Sequence, residues 1–490
     1  MARRYYSVNF PILFRMIGLL LLIEAGFLVV PLVTCLIYLE SDWKAFAWSL
    51  AATVAAGSAM TFCIHPSSNS MGKREGFLLT SLVWIFFSIF GMIPFMLMKN
   101  PMSVSDAFFE AMSGFTTTGA TVLTSISHLS HGVIMWRSLI QWIGGMGIIL
   151  FTLAVIPMLN HSGGMQMFNA EVTGITHEKL RPRISQTAKG LWMTYIVLTV
   201  MLFLLLLAGP MNFFESICHA FSTMSTGGFS TEDASVAAWD STYIEVVLTV
   251  FMFLGGVNFA LIFRAAHGDF RPLWKNDVFK LYIKVILVMY VLFVIGIIHQ
   301  HQATSVRSLT LDPLFQIIST ITSTGYTVTN FEKWGTFCLS LLFLLMFFGA
   351  CAGSTSGGAK LDRMLYLFKN CGNEIVKCIH PNNIYTVFVN GKVVSNELVS
   401  KVIAFLCIYV ILIMFGGMLL AALGLPLVDS FFSSFSCISN TGLGAGVTGY
   451  GGSYEIVPDA GKWVLAMLMM IGRLEIFTVI ILFARSFWRK

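Results

Sequence analysis

The chain has 490 residues, 56% of them hydrophobic and only 11% charged, with a formal net charge of +6. A soluble domain carries roughly 25% charged residues, so a protein wholly surrounded by water is excluded. The reading is an all-α, polytopic membrane protein whose solvent is mainly the lipid bilayer.

Apolar segments of spanning length, about 20 residues, fall in chain order near 12–39, 43–63, 76–99, 133–159, 190–210, 243–266, 278–300, 336–369, 397–423 and 460–488. The first follows Arg3 and Arg4. Its apolar run is too long for a signal-peptide core and lacks a small-residue cleavage site, so it reads as a retained span. Basic residues gather at the N-terminus and in Lys73–Arg74, Lys179–Lys189, Arg264–Lys284, Lys360–Lys401 and Arg485–Lys490. By the positive-inside rule both termini are expected to be cytoplasmic. The positive charge is therefore a topology signal, and no nucleic-acid partner is expected. The nine cysteines (35, 63, 218, 338, 351, 371, 378, 407 and 437) lie mostly in apolar segments with no CxxC pair. They read as buried, inert thiols, with no disulfide framework and no transition-metal site.

Between spans, one short word recurs four times: DAFFEAMSGFTTTGAT from Asp106, FESICHAFSTMSTGGFS from Phe214, DPLFQIISTITSTGYT from Asp312 and DSFFSSFSCISNTGLG from Asp429. Aligned on Gly119, Gly227, Gly325 and Gly442, each glycine follows a threonine: Thr118, Thr226, Thr324 and Thr441. Before these stand the small polar residues Thr117, Ser225, Ser323 and Asn440. A common upstream position carries Asp106, Asp312 or Asp429, with Phe214 as the exception. Each segment is too short to cross a bilayer. It reads as a re-entrant half-helix: Asp as N-cap, one or two turns, then a Ser/Thr/Gly stretch that leaves the helix.

Irregular backbone at membrane depth survives only where it is buried in protein or lines a water-filled path. Four such segments around one axis would bring about sixteen carbonyls together, replacing the hydration shell of a potassium ion. The C-terminal, partially negative ends of the half-helices would favour a cation there. Divalent cations prefer carboxylates or retained water, and the word contains no carboxylate ring. The competing reading is that small residues merely let helices pack closely.

The chain resembles the Trk/Ktr/HKT superfamily of potassium transporters, most closely its bacterial TrkH type. Besides the four words, the resemblance rests on WRSLIQWIGGMGII (Trp136–Ile149), FLGGVNFALIF (Phe253–Phe263), GACAGSTSGGAK (Gly349–Lys360) and IGRLEIFTVI (Ile471–Ile480). It implies four helix–pore-loop–helix repeats arranged pseudo-symmetrically about one pore, preceded by two extra N-terminal helices. The corresponding divisions are 1–70, 71–165, 166–270, 271–395 and 396–490. It further implies a homodimer in the cell (inner) membrane and a cytoplasmic ring of nucleotide-binding subunits of the TrkA type. In plant relatives a serine at the first filter glycine goes with sodium transport; glycine at all four positions favours potassium. Potassium enters as transported ion, and no bound cofactor is expected. The potassium-binding residues implied are Thr117, Thr118, Gly119, Ser225, Thr226, Gly227, Ser323, Thr324, Gly325, Asn440, Thr441 and Gly442.

Gly349–Gly358 should break its long span, because three consecutive hydroxyl residues lie between glycines. The resemblance makes Gly353, Ser354, Thr355, Ser356, Gly357 and Gly358 an intramembrane gate loop below the filter. A phosphate loop is the runner-up on the Gly353–Gly358 separation. It fails because Ala359 precedes Lys360, no Ser or Thr follows, and no strand precedes. An ordinary kink is the third reading. Arg473 lies near mid-membrane, where an arginine marks a functional site by default. Facing the pore it is a barrier to cations; otherwise it is an ion-pair partner or a cap on a half-helix. Glu475, two residues on, faces another side. Arg137 reads equally as an outer anchor, and Glu24 and Glu245 have no assigned role. Tyr385–Val394 reads as a hairpin or a simple loop turning at Asn390–Gly391.

The function expected is a gated, channel-like potassium conductor, with proton- or sodium-coupled symport as the alternative. Every pore word lies on the outer side, whereas coupled carriers often use inverted repeats. A membrane enzyme is not expected, for no HExxH, GxSxG or paired catalytic acids occur in the spans. Partner contacts are expected on the basic cytoplasmic segments 160–189, 264–284 and 370–396.

Overall fold

In a computed structural model of the chain, residues 8–66, 71–147, 184–302, 305–382 and 385–488 are described. Arg3, Arg4 and most of the basic segment 160–189 lie outside them. An N-terminal pair, α1 (Phe10–Ile37) and α2 (Trp43–Ser58, continued by a π-turn over Ala59–Cys63), comes first. Gly18 and Gly57 let their backbones touch: a β-carbon on Gly57 would stand 3.0 Å from the Gly18 carbonyl oxygen. Small residues that permit such close approach are a common basis for helix association in lipid.

Four units follow, each with a long helix, a short helix and a second long element. The first comprises α3 (Lys73–Gly91) with α4 (Ile93–Leu97), α5 (Val104–Phe115) and α6 (His131–Gly145). The second comprises α7 (Ile184–Leu207), α8 (Phe213–Met224), α9 (Thr242–Gly255) and α10 (Phe259–Ala266). After the short α11 (Arg271–Lys275), the third has α12 (Asp277–His299), α13 (Val306–Ile321), α14 (Gly335–Phe348) and α15 (Leu361–Ile379). A hairpin of β1 (Val387–Val389) and β2 (Lys392–Val394) leads into the fourth. That unit has α16 (Asn396–Ala422), α17 (Leu427–Ile438), α18 (Asp459–Arg473), α19 (Phe477–Phe483) and α20 (Arg485–Trp488).

Among the described residues, seven helices are long and apolar enough to cross a membrane, or nine if each bent pair counts as one span. The expected span at 133–159 runs from α6 into residues outside the described set. The spans expected as continuous at 243–266 and 460–488 are in fact broken. α9 and α10 meet at 107°, and α18 and α19 at 115°. Hydropathy averages do not register these breaks, because the polar Asn258 at the first and the charged Arg473 and Glu475 at the second stand within runs that are otherwise apolar. The span at 336–369 breaks where the hydroxyl triplet predicts it: α14 stops at Phe348 and α15 resumes at Leu361.

The short helices are longer than expected, 12 residues for α5, α8 and α17 and 16 for α13. Nor is Asp the N-cap. Ser103 caps α5 and Asn212 caps α8, with Asp106 and Glu215 in the third helical position. The Asn212–Glu215 pair forms a reciprocal capping box, which satisfies two orphan backbone donors at once. The hairpin is present: Asn390 and Gly391 hold φ of 51° and 73° at its turn. Its turn is pinned to α12, the Asp277 N–H donating to Asn390 Oδ1 at 2.7 Å and the Asn390 N–H to Asp277 Oδ2 at 2.9 Å. Of the nine cysteines, Cys63, Cys371, Cys378 and Cys407 are exposed rather than buried as expected.

Candidate functional site: a four-part ring and the loop beneath it

Each short helix ends in the same backbone word. Thr117, Thr226, Ser323 and Asn440 all sit in the left-handed region at φ of 53–55°. Two residues later Gly119, Gly228, Gly325 and Gly442 return to it at φ of 74–82°. A threonine with positive φ is a strained conformer of the kind that gathers at functional sites. Hydrogen bonds repeat with the same register. The residue between the two left-handed positions (Thr118, Gly227, Thr324, Thr441) donates its N–H to the carbonyl of Ser113, Ser222, Ser319 or Ser436 at 2.8–3.0 Å.

That register corrects the second repeat. The glycine equivalent to Gly119, Gly325 and Gly442 is Gly228, and Gly227 stands where the other repeats carry threonine. The acidic position then has no exception: Asp106, Glu215, Asp312 and Asp429 occupy it, and Phe214 drops out. Contacts between repeats confirm the assignment by closing a ring. A β-carbon on Gly119 would fall against the carbonyl oxygen of Gly227; on Gly228, against that of Thr324; on Gly325, against that of Thr441; and on Gly442, against that of Thr118. The four glycines line one outer cavity of about 130 Å³.

Behind the ring, hydroxyl pairs brace three repeats: Thr116–Thr118 at 2.8 Å, Thr322–Thr324 at 2.8 Å and Ser439–Thr441 at 2.9 Å. The fourth repeat is tied to the first by Asn440 Nδ2 donating to Thr118 Oγ1 at 3.0 Å. Arg137, which sequence left open as an outer anchor, is wholly buried beside the ring. Its Nε donates to Glu110 Oε1 at 2.8 Å, and its guanidinium lies 4.1 Å from the Phe229 ring centroid. Glu110 in turn accepts from the Val122 N–H at 3.1 Å. The pair therefore joins the segments leaving the first two words of the ring.

Outer loops staple neighbouring repeats. Asp233 accepts from the Ile126 N–H and from the Ser127 and Ser125 hydroxyls, the last two at 2.9 and 3.2 Å. Partial burial raises its carboxyl, but these bonds outweigh that effect and hold it below the usual aspartate range. Glu245 is paired to Arg307, which also holds Asp240 at 2.7 Å, so Glu245 belongs to the seam between repeats two and three. Glu24 is buried, and neither carboxylate oxygen has a hydrogen-bond partner among the described residues.

Beneath the ring, every second span yields at glycine. A β-carbon on Gly145 would come within 2.7 Å of Ser225, one on Gly256 within 2.9 Å of Thr322, and those on Gly144 and Gly472 against the Phe115 and Ile438 carbonyls. The sequence signal for this layer is the recurrence of these glycines after each of the four repeated words, beyond the resemblance they carry. The segment Gly349–Lys360 passes through this layer. Gly357 N–H donates to Ser323 Oγ at 2.6 Å and Gly358 N–H to the Ser439 carbonyl at 2.9 Å. Thr355 Oγ1 lies 3.1 Å from both the Met224 and the Gly255 carbonyl oxygens. Gly353 (φ 76°) accepts from the Phe259 N–H at 2.9 Å, and Ser354 Oγ contacts Ser356 Oγ at 2.8 Å. Lys360 is buried with its Nζ on the Ser356 carbonyl.

Arg473 ends α18 at this level. It donates to the Thr355 carbonyl at 2.8 Å and to the Gly144 and Gly145 carbonyls at 2.7 and 3.0 Å. It thus caps α6, ties the loop to it, and lines a cavity of about 90 Å³ with Gly353, Ser354, Ser356, Gly357 and Gly358. Glu475, no partner for Arg473, pairs with Arg363 on α15.

Residues 43–490 match the TrkH family, described as a cation transport protein. The chain is 34% identical over 487 residues to the Trk system potassium uptake protein TrkH of Escherichia coli K12, covering 99% of this chain and all of that protein. It is 35% identical over 488 residues to the Vibrio parahaemolyticus protein of the same name, with the same coverage. Its fold superposes on the crystal structure of the potassium transporter TrkH from Vibrio parahaemolyticus with a TM-score of 0.89 and 33% identity, over 98% of this chain and all of that one. The chain belongs to the TrkH family of cation transport proteins.

Proposed function

We propose that this chain is a potassium-selective, ion-conducting subunit for cellular potassium uptake. The observation that carries the reading is the closed ring, in which each repeat's left-handed glycine lies against the preceding carbonyl of the next repeat. Such a ring can present backbone carbonyls to a dehydrated monovalent cation. The residues assigned to the ion are Thr117–Gly119, Ser225–Gly228, Ser323–Gly325 and Asn440–Gly442. The loop Gly353–Gly358 is the gate, and Arg473 is both its latch and an electrostatic barrier. Potassium is the cargo. The partners are a second copy of the chain and a cytoplasmic nucleotide-binding subunit of the TrkA type, in an inner membrane with both termini cytoplasmic. Segments 264–284 and 370–396, with the β1–β2 hairpin, supply the cytoplasmic docking face.

Coupled symport is the second reading, and Glu24 is the observation that favours it, as a buried carboxyl without a partner among the described residues. Potassium and sodium currents across proteoliposomes test both. Passive conduction gives a reversal potential that follows the potassium gradient alone, and Gly119→Ser weakens potassium preference. A reversal potential that moves with pH, and ceases to do so in Glu24→Gln, would establish symport instead. Unchanged selectivity in Gly119→Ser refutes the filter.

A further inference from the structure

The ring has one missing side chain. Thr118, Thr324 and Thr441 each pair with a hydroxyl behind the ring, whereas Gly227 has nothing to offer Ser225. The space is nevertheless filled. A β-carbon on Gly227 would fall inside the carboxamide of Gln141, a fully buried residue of α6 in the first repeat. That carboxamide spans the word: Nε2 donates to the Gly227 carbonyl at 2.7 Å, and Oε1 accepts from the Phe229 N–H at 3.1 Å. The Gly227 carbonyl is the ring oxygen that lies against Gly119. One helical turn before the matching glycines of the second and fourth repeats stand Met252 and Met469, both buried and apolar. The amide appears where the threonine is absent.

We infer that Gln141 is a positioning residue for ion selection, standing in for the absent threonine side chain and aiming the second-repeat carbonyl of the ring. The inference rests on the filter reading above. A carbonyl held by a side-chain N–H from the neighbouring repeat keeps its direction when the ring is strained by a smaller ion. A carbonyl without that bond can turn toward sodium, and the preference falls. The reason is local: a buried hydrogen bond is worth about 1 kcal/mol, and a difference of about 1.4 kcal/mol between two ions is tenfold in their ratio.

The test uses the full-length protein in proteoliposomes and reads the ratio of potassium to sodium uptake. Gln141→Met keeps the side-chain length, removes both polar atoms and copies Met252 and Met469; it is expected to lower the ratio five- to tenfold, by roughly the worth of one such bond. The double variant Gln141→Ala/Gly227→Thr supplies the hydroxyl pair of the other repeats and is expected to recover the ratio to within about twofold. Gly325→Ser is the control for the filter itself. Should Gln141→Met keep the wild-type ratio while Gly325→Ser lowers it, the role of Gln141 is overturned and the filter stands. Should Gly325→Ser also leave the ratio unchanged, the filter reading fails and Gln141 with it. A folded double variant that stays unselective overturns the surrogate role whatever the single variant does. If Gln141→Met does not yield folded protein, a selective double variant still supports the inference.

Discussion

Adjacent glycines in the second word of the ring give opposite expectations, and alanine at each position separates them. Gly228 is left-handed at φ 80°, and a β-carbon there would overlap the Thr324 carbonyl of the next repeat. An L-residue in that conformation is less stable by about 1–2 kcal/mol, and forcing an atom into a packed site adds about 1–3 kcal/mol. The sum, about 2–5 kcal/mol, must distort the ring, and even its lower bound corresponds to roughly a thirtyfold loss. Gly227 is not left-handed, and the nearest atoms its new methyl would meet belong to the flexible Gln141 side chain. Displacing that side chain forfeits about one buried hydrogen bond, about 1 kcal/mol, or roughly fivefold. Rubidium uptake and growth on limiting potassium, in cells lacking their own uptake systems and normalised for expression, should rank wild type, then Gly227→Ala, then Gly228→Ala far below. If Gly227→Ala is as damaging as Gly228→Ala, the ring register is wrong.

Arg473→Ala removes three hydrogen bonds that tie the loop and α6 together and takes a positive charge from the cavity wall; potassium flux should rise severalfold, and a fall would refute the latch. Arg137→Met leaves Glu110 buried without its cation, so thermal stability should drop by about 3–5 kcal/mol; the double variant Arg137→Met/Glu110→Leu should lose less, and equal losses would contradict the ion-pair account. Asp233 titrates below the usual aspartate range when folded. Its staple is therefore fully present above about pH 4 and is lost as pH falls through the folded value. The melting difference between wild type and Asp233→Asn should accordingly be constant near neutrality and narrow below about pH 4; a gap that persists in acid would remove Asp233 from the account.

The repeat architecture was legible because a span-length apolar pattern and a recurring word are local features of the chain. The register of the second word was not, for a physical reason. Matching letters placed Thr226–Gly227 on Thr118–Gly119, whereas the backbone selects the glycine that must be left-handed and touch the next repeat, and that is Gly228. The mismatch had left a trace in the sequence: Phe214 in an otherwise acidic position, beside a glutamate one residue on. The loop at Gly349–Lys360 announced itself, since Ser354, Thr355 and Ser356 between glycines cannot continue an apolar span. The bends of 107° between α9 and α10 and of 115° between α18 and α19 were hidden, because the few polar residues there, Asn258, Arg473 and Glu475, stand within runs that stay apolar on average.

Contacts between repeats are the part no single repeat can encode. Arg473 meets Thr355 and Gly144, Gln141 meets Gly227, and Asn440 meets Thr118, each across a seam between units. The pairing of Arg137 with Glu110 lies within one repeat and could have been anticipated, because a charge in an apolar helix requires a nearby partner. These departures from fourfold symmetry follow one rule. The ring keeps its shape by repetition of backbone conformation, while the side chains that differ between repeats are those that reach a neighbour. A single loop from the third repeat can then lie against the second, third and fourth words only if the other repeats open at glycine and one of them supplies a side chain to hold it. Arg473, at the break in α18, does that for the Thr355 carbonyl. On the proposed function, conduction through the ring and control from below it fall to different elements, the first to what the repeats share and the second to what each alone contributes.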